Sequence, residues 1–360
     1  MSKHFPALLI TGLFISTSSV GFAQSSPSKP ATNSAAAESN DAETLRKQLA
    51  AQRAINEQLK QRVDALERQL AAGGRTDTPV VVGLDASAPK PRRDMDADLA
   101  GSAIEETLGA KGLVLLAPGT FRFTPSLSWS HSGQGADRSD SYVLGTGLEA
   151  GLPLGMAVSL RQPYVWRDTA NGSNNGAGDF SISLAKRLNN ESDTMPSFVA
   201  RLTYAHDSGK DAFDAVPIGS GFKAYSVELS GVKRADPLVF FGGASYSQAF
   251  DKTATISRDG KVLFSGNIAP GDAYGLNAGV SLAATPTVSV DVGLSLGFIE
   301  KTRFRNAEGS GSGDSRTVGY LSLGTGILLS RNLLLSFSAA AGVTDDSSDL
   351  ILSVSLPYRF

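Results

Sequence analysis

The chain of 360 residues contains no cysteine. Disulfides, thiolate metal sites and a cysteine nucleophile are therefore excluded. It also lacks charge of one dominant sign: 33 Lys and Arg stand against 35 Asp and Glu, a formal net charge of −2. No strongly basic field points to nucleic acid. Nowhere after the first residues does it offer the roughly 18 consecutive apolar residues that a membrane-spanning helix needs. If the chain enters a membrane, it must do so through strands. Glycine, by contrast, is abundant, at 38 residues.

The opening stretch, MSKHFPALLITGLFISTSSVGFAQ, has a basic start at Lys3, an apolar run from Ala7 to Ile15 and a small-x-small close at Gly21-Phe22-Ala23. It reads as a removed secretory signal over 1–23. Residues 24–40 are rich in Ser, Ala, Pro and Asn, as a flexible leader is. Asn40 is a candidate N-cap, with Glu43 three places on. From there the spacing alternates four and three: Leu45, Leu49, Gln52, Asn56, Leu59, Val63, Leu66, Leu70, before Gly73-Gly74 ends the run. An a/d seam without a wider apolar face predicts a periplasmic coiled coil over 41–74 rather than a helix of a globular core. Asn56 at an a position leans towards a dimer, but the adjacent polar layers of Gln52 and Asn56 leave the number of helices open. Residues 75–112 form a second linker with Pro79, Pro89 and Pro91. Within it a short helix is predicted over 97–110, with Leu99, Ile104 and Leu108 roughly on one side. A simple periplasmic spacer is the plain alternative to a plug.

From 113 to 360 the period changes to two. Twelve strand-like segments follow: 119–131, 141–152, 155–167, 179–188, 197–207, 222–234, 238–250, 273–284, 287–300, 317–329, 332–344 and 349–360. Val288, Val290, Val292, Leu294, Leu296 and Phe298 face one way, and Ser289, Asp291, Gly293, Ser295 and Gly297 the other. Strands of about ten residues match a tilted membrane crossing. Connections after odd-numbered segments are long and hydrophilic (132–140, 168–178, 208–221, 251–272, 301–316), and those after even-numbered ones are mostly tight. That sorting predicts an all-β fold: a twelve-stranded antiparallel up-and-down outer-membrane β-barrel preceded by the helical coiled coil. Greek-key sandwiches do not sort their loops this way. Trp129, Tyr164, Trp166, Tyr204, Tyr246 and Phe250 make one aromatic girdle, with Tyr358 and Phe360 at the opposite rim. The chain ends on Leu356, Tyr358 and Phe360 in alternation, read here as the C-terminal signal for the barrel-assembly machinery. Polar-face parity puts Arg122, Glu149, Arg161, Arg187, Arg201, Glu228 and Asp291 in the lumen. They either pair across the barrel as filling or select what passes.

Catalysis has little to work with. His131 and His206 are the histidines beyond the signal, without a spaced partner for a metal. Ser130 and Ser132 flank His131, but HSGQG departs from the His-x-Ser-Asn-Gly core of outer-membrane phospholipases. Gly145, Gly147 and Gly151 lie on a strand with no helix after them, unlike a nucleotide loop. No enzyme, no cofactor and no metal are expected.

Several phrases in order, LLAPGTFRFTPSLSWSHS, PYVWR, GDFSISLAKRL, ADPLVFFGGASYSQAF, PGDAYGLNAGVSLA, KTRF and GVTDDSSDLILSVSLPYRF, resemble the barrel pores of the Fap functional-amyloid secretion system. They are equally similar to the outer-membrane component of phenol meta-pathway operons. The resemblance covers about 113–360. It implies a twelve-stranded outer-membrane pore, trimerised through periplasmic helices and holding an N-terminal helical plug. The function expected is passive export through the outer membrane of a Gram-negative bacterium, with an unfolded amyloid-type polypeptide as cargo. The rivals are a transporter of small hydrophobic or aromatic compounds, and a non-conducting envelope anchor that displays its coiled coil. Expected partners are outer-membrane lipid, further copies of the chain, the assembly machinery and the secreted polypeptide, but no nucleic acid.

Overall fold

The computed structural model describes residues 103–133, 138–210, 212–258, 261–307 and 309–360. The signal, the leader, the coiled-coil positions from Leu45 to Leu70 and Leu99 all lie outside these residues. Strands β1 (Phe121–Ser132), β2 (Ser139–Leu152) and β3 (Met156–Thr169) open a continuous antiparallel meander. The fourth stave is interrupted, as β4 (Gly172–Ala177) and β5 (Ser181–Arg187) both pair with β3. Next come β6 (Ser197–Ala205), β7 (Ala224–Ala235) and β8 (Leu238–Ala249). A hairpin of β9 (Lys252–Arg258) and β10 (Lys261–Ala269) precedes β11 (Ala273–Thr285) and β12 (Val288–Ile299). A second hairpin, β13 (Arg303–Asn306) and β14 (Gly309–Ser312), precedes β15 (Arg316–Ser330) and β16 (Leu333–Gly342). The last stave is split into β17 (Leu350–Ser355) and β18 (Tyr358–Arg359).

Both parts of that last stave pair with β1, Trp129 opposite Leu352 and Phe123 opposite Tyr358. The sheet therefore closes into a twelve-stave antiparallel barrel, the closed form that lets strands satisfy one another's backbone groups in lipid. At the seam the C-terminal Phe360 exchanges two backbone hydrogen bonds of 2.9 Å with Phe121, and the two rings stack at 5.8 Å. Cross-strand partners share a face, so the register fixes which side each residue takes. Leu294, Val292, Leu229, Phe337 and Leu352 lie exposed on the outer face. Their neighbours Ser281, Ser289, Asp291 and Ser230 are buried on the inner one.

Two corrections to the expected loops concern the long-loop end. The segment 168–178 was expected as a loop because Gly and Asn dominate it. Residues 172–177 instead extend the β3 hairpin, with Thr169 opposite Gly172. The stretches 251–272 and 301–316 were also expected as plain connections. They fold into β9, β10, β13 and β14, a separate four-stranded sheet in the order β14-β13-β10-β9. Ile256, Ile268, Phe264 and Phe304 on that sheet pack with Phe213 and Phe222 of the loop 206–223. Alternation too brief to span a membrane is enough to build a small sheet around its own apolar cluster.

Candidate functional site

Before β1 a helix, α1 (residues 103–110), stands inside the barrel. Its sequence explains where it stops. Gly112 adopts φ +73, its N–H donates to Gly109 O at 2.8 Å, and the Leu113 N–H donates to Leu108 O at 2.9 Å. This is the paired bond pattern that ends a helix on a left-handed glycine, with an apolar contact between the residues that flank it. Leu108 and Leu113 supply that contact and pack with Ile104, Val232 and Val239. On another side Ala103 meets Leu328 and Leu334. Contacts to β7 and β8 on one wall and β15 and β16 on another place the helix within the bore. From it the chain descends to the short-turn rim, where Leu115 packs against Ala157, Ala185 and Val199.

Polar contacts reach the remaining walls. Glu106 is held between two arginines, Arg359 Nη1 at 2.7 Å and Arg122 Nη2 at 3.8 Å. Arg122 also donates to Gly109 O at 2.6 Å and pairs with Glu149 at 3.2 Å. Arg201 donates to Gly112 O at 2.9 Å and faces Glu228 at 3.8 Å. Lys111 forms an ion pair with Asp291, and Thr107 Oγ1 lies 2.8 Å from Ser289 Oγ. At the rim Glu105 meets Arg234 at 3.3 Å, and Arg234 also holds Glu191 at 2.9 Å. Glycine makes room for this: a Cβ at Gly326 would overlap both Thr107 Oγ1 and Ser289 Oγ.

The residues expected in the lumen thus fall into two groups. Arg122, Glu149, Arg201, Glu228 and Asp291 gather around α1 or just beside it. Arg161 and Arg187 are exposed inner-face residues, Arg187 at the rim near Asn190. Of the expected helix residues, Ile104 and Leu108 are buried against the wall. Glu105, Glu106, Thr107, Lys111, Arg234 and Arg359 were not singled out from sequence. Parity assigns Arg234 and Arg359 to the inner face, and the run IEETLGAK shows the helix charges. What sequence does not show is which wall each charge meets.

The histidines are arranged differently from a hydrolase. His131 Nδ1 lies 2.8 Å from Asp140 Oδ1, on the outer face, while Ser130 and Ser132 point inward. Adjacent residues of a strand take opposite faces, so these serines and this imidazole cannot meet. An apolar hollow of about 580 Å³ lined by Trp129, Leu323, Phe337 and Leu352 also lies on the outer, lipid-facing wall and takes no part in the lumen.

No protein-family model matches the chain. Among solved structures, it is similar to the COG4313 outer membrane channel from Pseudomonas putida F1, with a TM-score of 0.59 at 12% identity, covering 69% of this chain and 97% of that one. The fold is that of an outer-membrane barrel. Weaker likenesses are the translocator domain of the autotransporter NalP from Neisseria meningitidis (TM-score 0.42, 14% identity, 73% and 96% covered) and the Pseudomonas putida toluene transporter TodX (0.39, 12%, 68% and 90%). At such identities the likeness speaks for architecture alone. Within that architecture, α1 sits towards the short-turn end of the barrel.

Proposed function

We propose that the protein is a passive outer-membrane channel, shut at its periplasmic end by α1, through which an extended polypeptide leaves the periplasm. One observation carries the reading: a helix occupies the bore and is tied to the walls around it by partly buried ion pairs and hydrogen bonds. An α-helix with its side chains is about 10–12 Å across, so α1 gauges the passage its departure would leave. An extended chain passes such a bore. A folded domain of about 100 residues, with a radius of gyration near 13 Å, does not. The coiled coil expected over 41–74 would cluster barrels, as three if the resemblance holds, and keep the released helix tethered.

The test is planar-bilayer conductance of the full protein against a variant lacking 76–112. The variant is expected to conduct steadily and the full protein only in brief openings. Equal, persistently closed behaviour of the two would refute the plug and favour the non-conducting anchor.

A second reading, a transporter of small hydrophobic compounds, is favoured by the wall itself. The edge of β4 that faces away from β3 pairs with no other strand among the described residues. The loop 206–223 fills the gap there, held by Asn174 Nδ2 on Val216 O at 2.9 Å and Arg167 Nη1 on Pro217 O at 2.8 Å. Loss of hydrophobic-compound uptake on deletion of the gene, with secretion intact, would favour this side exit over polypeptide export.

A further inference from the structure

Arg161 differs from the arginines around it. Its side chain is exposed on the inner face of β3, and among the described residues it makes no hydrogen bond or ion pair, whereas Arg122, Arg187 and Arg201 all have partners. The charges in range of it are Arg201 and Glu149. Glu149 is already paired with Arg122, and Glu228 with Arg201. This stretch of wall therefore carries more positive than negative charge. Guanidinium is a weakly hydrated planar fork whose geometry matches carboxylates, and it gains most where water is scarce.

The two neighbouring arginines add an independent sign. Arg122 and Arg201 each donate to a backbone carbonyl at the C-terminal end of α1, Gly109 O at 2.6 Å and Gly112 O at 2.9 Å. Carbonyls at that end carry the negative pole of the helix dipole, and Gly109 O accepts from Arg122 in addition to the Gly112 N–H. The helix end thus occupies two arms of an arginine cradle with the same kind of acceptor that an anion would bring.

We propose that Arg122, Arg161 and Arg201 form an anion-binding constriction, filled in part by the helix C-terminus at rest and by carboxylates of the permeating molecule when the helix leaves. It follows that the open pore prefers anions, and that carboxylate-bearing cargo competes with α1 for its seat. The proposal rests on the channel reading above, in that it requires a bore that opens.

The experiment uses the full-length protein in planar bilayers under a KCl gradient, reading the reversal potential of whatever openings occur. Wild type is expected on the anion-selective side, Arg161→Gln nearer zero and Arg161→Glu on the cation side. Citrate is the carboxylate probe. Arg161→Gln should weaken its block by about tenfold, the loss expected for one charge-assisted contact. Unchanged reversal potentials in both variants overturn the proposal. A companion measurement needs no opening: in detergent, an arginine-specific dicarbonyl should modify Arg161 before Arg122 and Arg201, and citrate should slow that reaction. Equal reactivity of the three, or indifference to citrate, overturns it as well. If removal of 76–112 fails to open the pore while Arg161→Gln still shifts the reversal potential, the plug reading fails and the anion site stands.

Discussion

At the scale of single residues, two backbone positions and one carboxylate bear most of the consequences. Leu154, in the turn between β2 and β3, holds φ +63 beside Gly155 at φ +66. In this three-residue connection, Pro153–Gly155, a residue held at that φ is best Asn or Gly, because the Cβ of other residues crowds the following carbonyl. Leu154 is also 85% exposed, so it gains little from packing. Leu154→Asn is expected to stabilise the barrel by about 1 kcal/mol, read as a higher temperature for conversion to the unfolded form on SDS gels. An unchanged or lower temperature would contradict the strain argument. Glu106 is buried between two arginines, and removing its charge takes from Arg359 its ion-pair partner on α1 and leaves Arg122 with Glu149 alone. A hydrogen bond to a charged group is worth about 1.5–3 kcal/mol, so Glu106→Gln should raise the open probability of the channel by about tenfold or more. Unaltered gating in this variant would mean that the clasp does not hold the helix.

At the scale of elements, the described part of α1, residues 103–110, is held by tertiary contacts to the barrel wall. That makes its position testable by cross-linking. The sequence has no cysteine, so Thr107→Cys with Ser289→Cys introduces the only two thiols, where the native hydroxyls lie 2.8 Å apart. Oxidation should lock the channel closed and reduction restore its openings. Full conductance in the cross-linked state would show that the helix does not obstruct the bore. The loop 206–223 is fastened by a different device. Burial pushes the Asp207 carboxyl up, but the Lys252 ammonium donating to it at 2.7 Å outweighs burial and holds it below the usual aspartate value. Lys252 also bonds Gly221 O at 2.9 Å. Because the folded value is the lower one, the tie stabilises the loop above the ordinary aspartate range and is lost as pH falls through the folded value. Pepsin should therefore nick 207–223 faster at pH 2 than at pH 4, roughly the lower and upper sides of that range. Asp207→Asn should remove most of the difference. Equal nicking of the wild type at both pH values would rule the tie out.

At the scale of the whole molecule, a closed cylinder separates two solvents, and everything inside it is read against the bore. The apolar outer face would be costly in water. The inner face joins small serines and glycines to arginines and carboxylates, and α1 packs among them. At the long-loop end, the loop 206–223 and the four-stranded sheet share one apolar cluster, so a single local core organises that end.

The alternation of side chains by itself determined the number of staves, their order and the face of each residue. Period two leaves a residue only two directions, and a closed antiparallel meander leaves a strand only two neighbours. Arg122, Glu149, Arg201 and Asp291 were legible as inner-face charges for that reason. Parity says nothing about distance across a lumen, however. Only the tertiary structure decided that Glu106 sits between Arg122 and Arg359, that Thr107 meets Ser289 some 182 positions away, and that Arg161 has no partner among the described residues. It also decided that the Gly- and Asn-rich 172–177 is strand and that two loops make a sheet, since these segments are fixed by neighbours distant in the chain and not by their own composition.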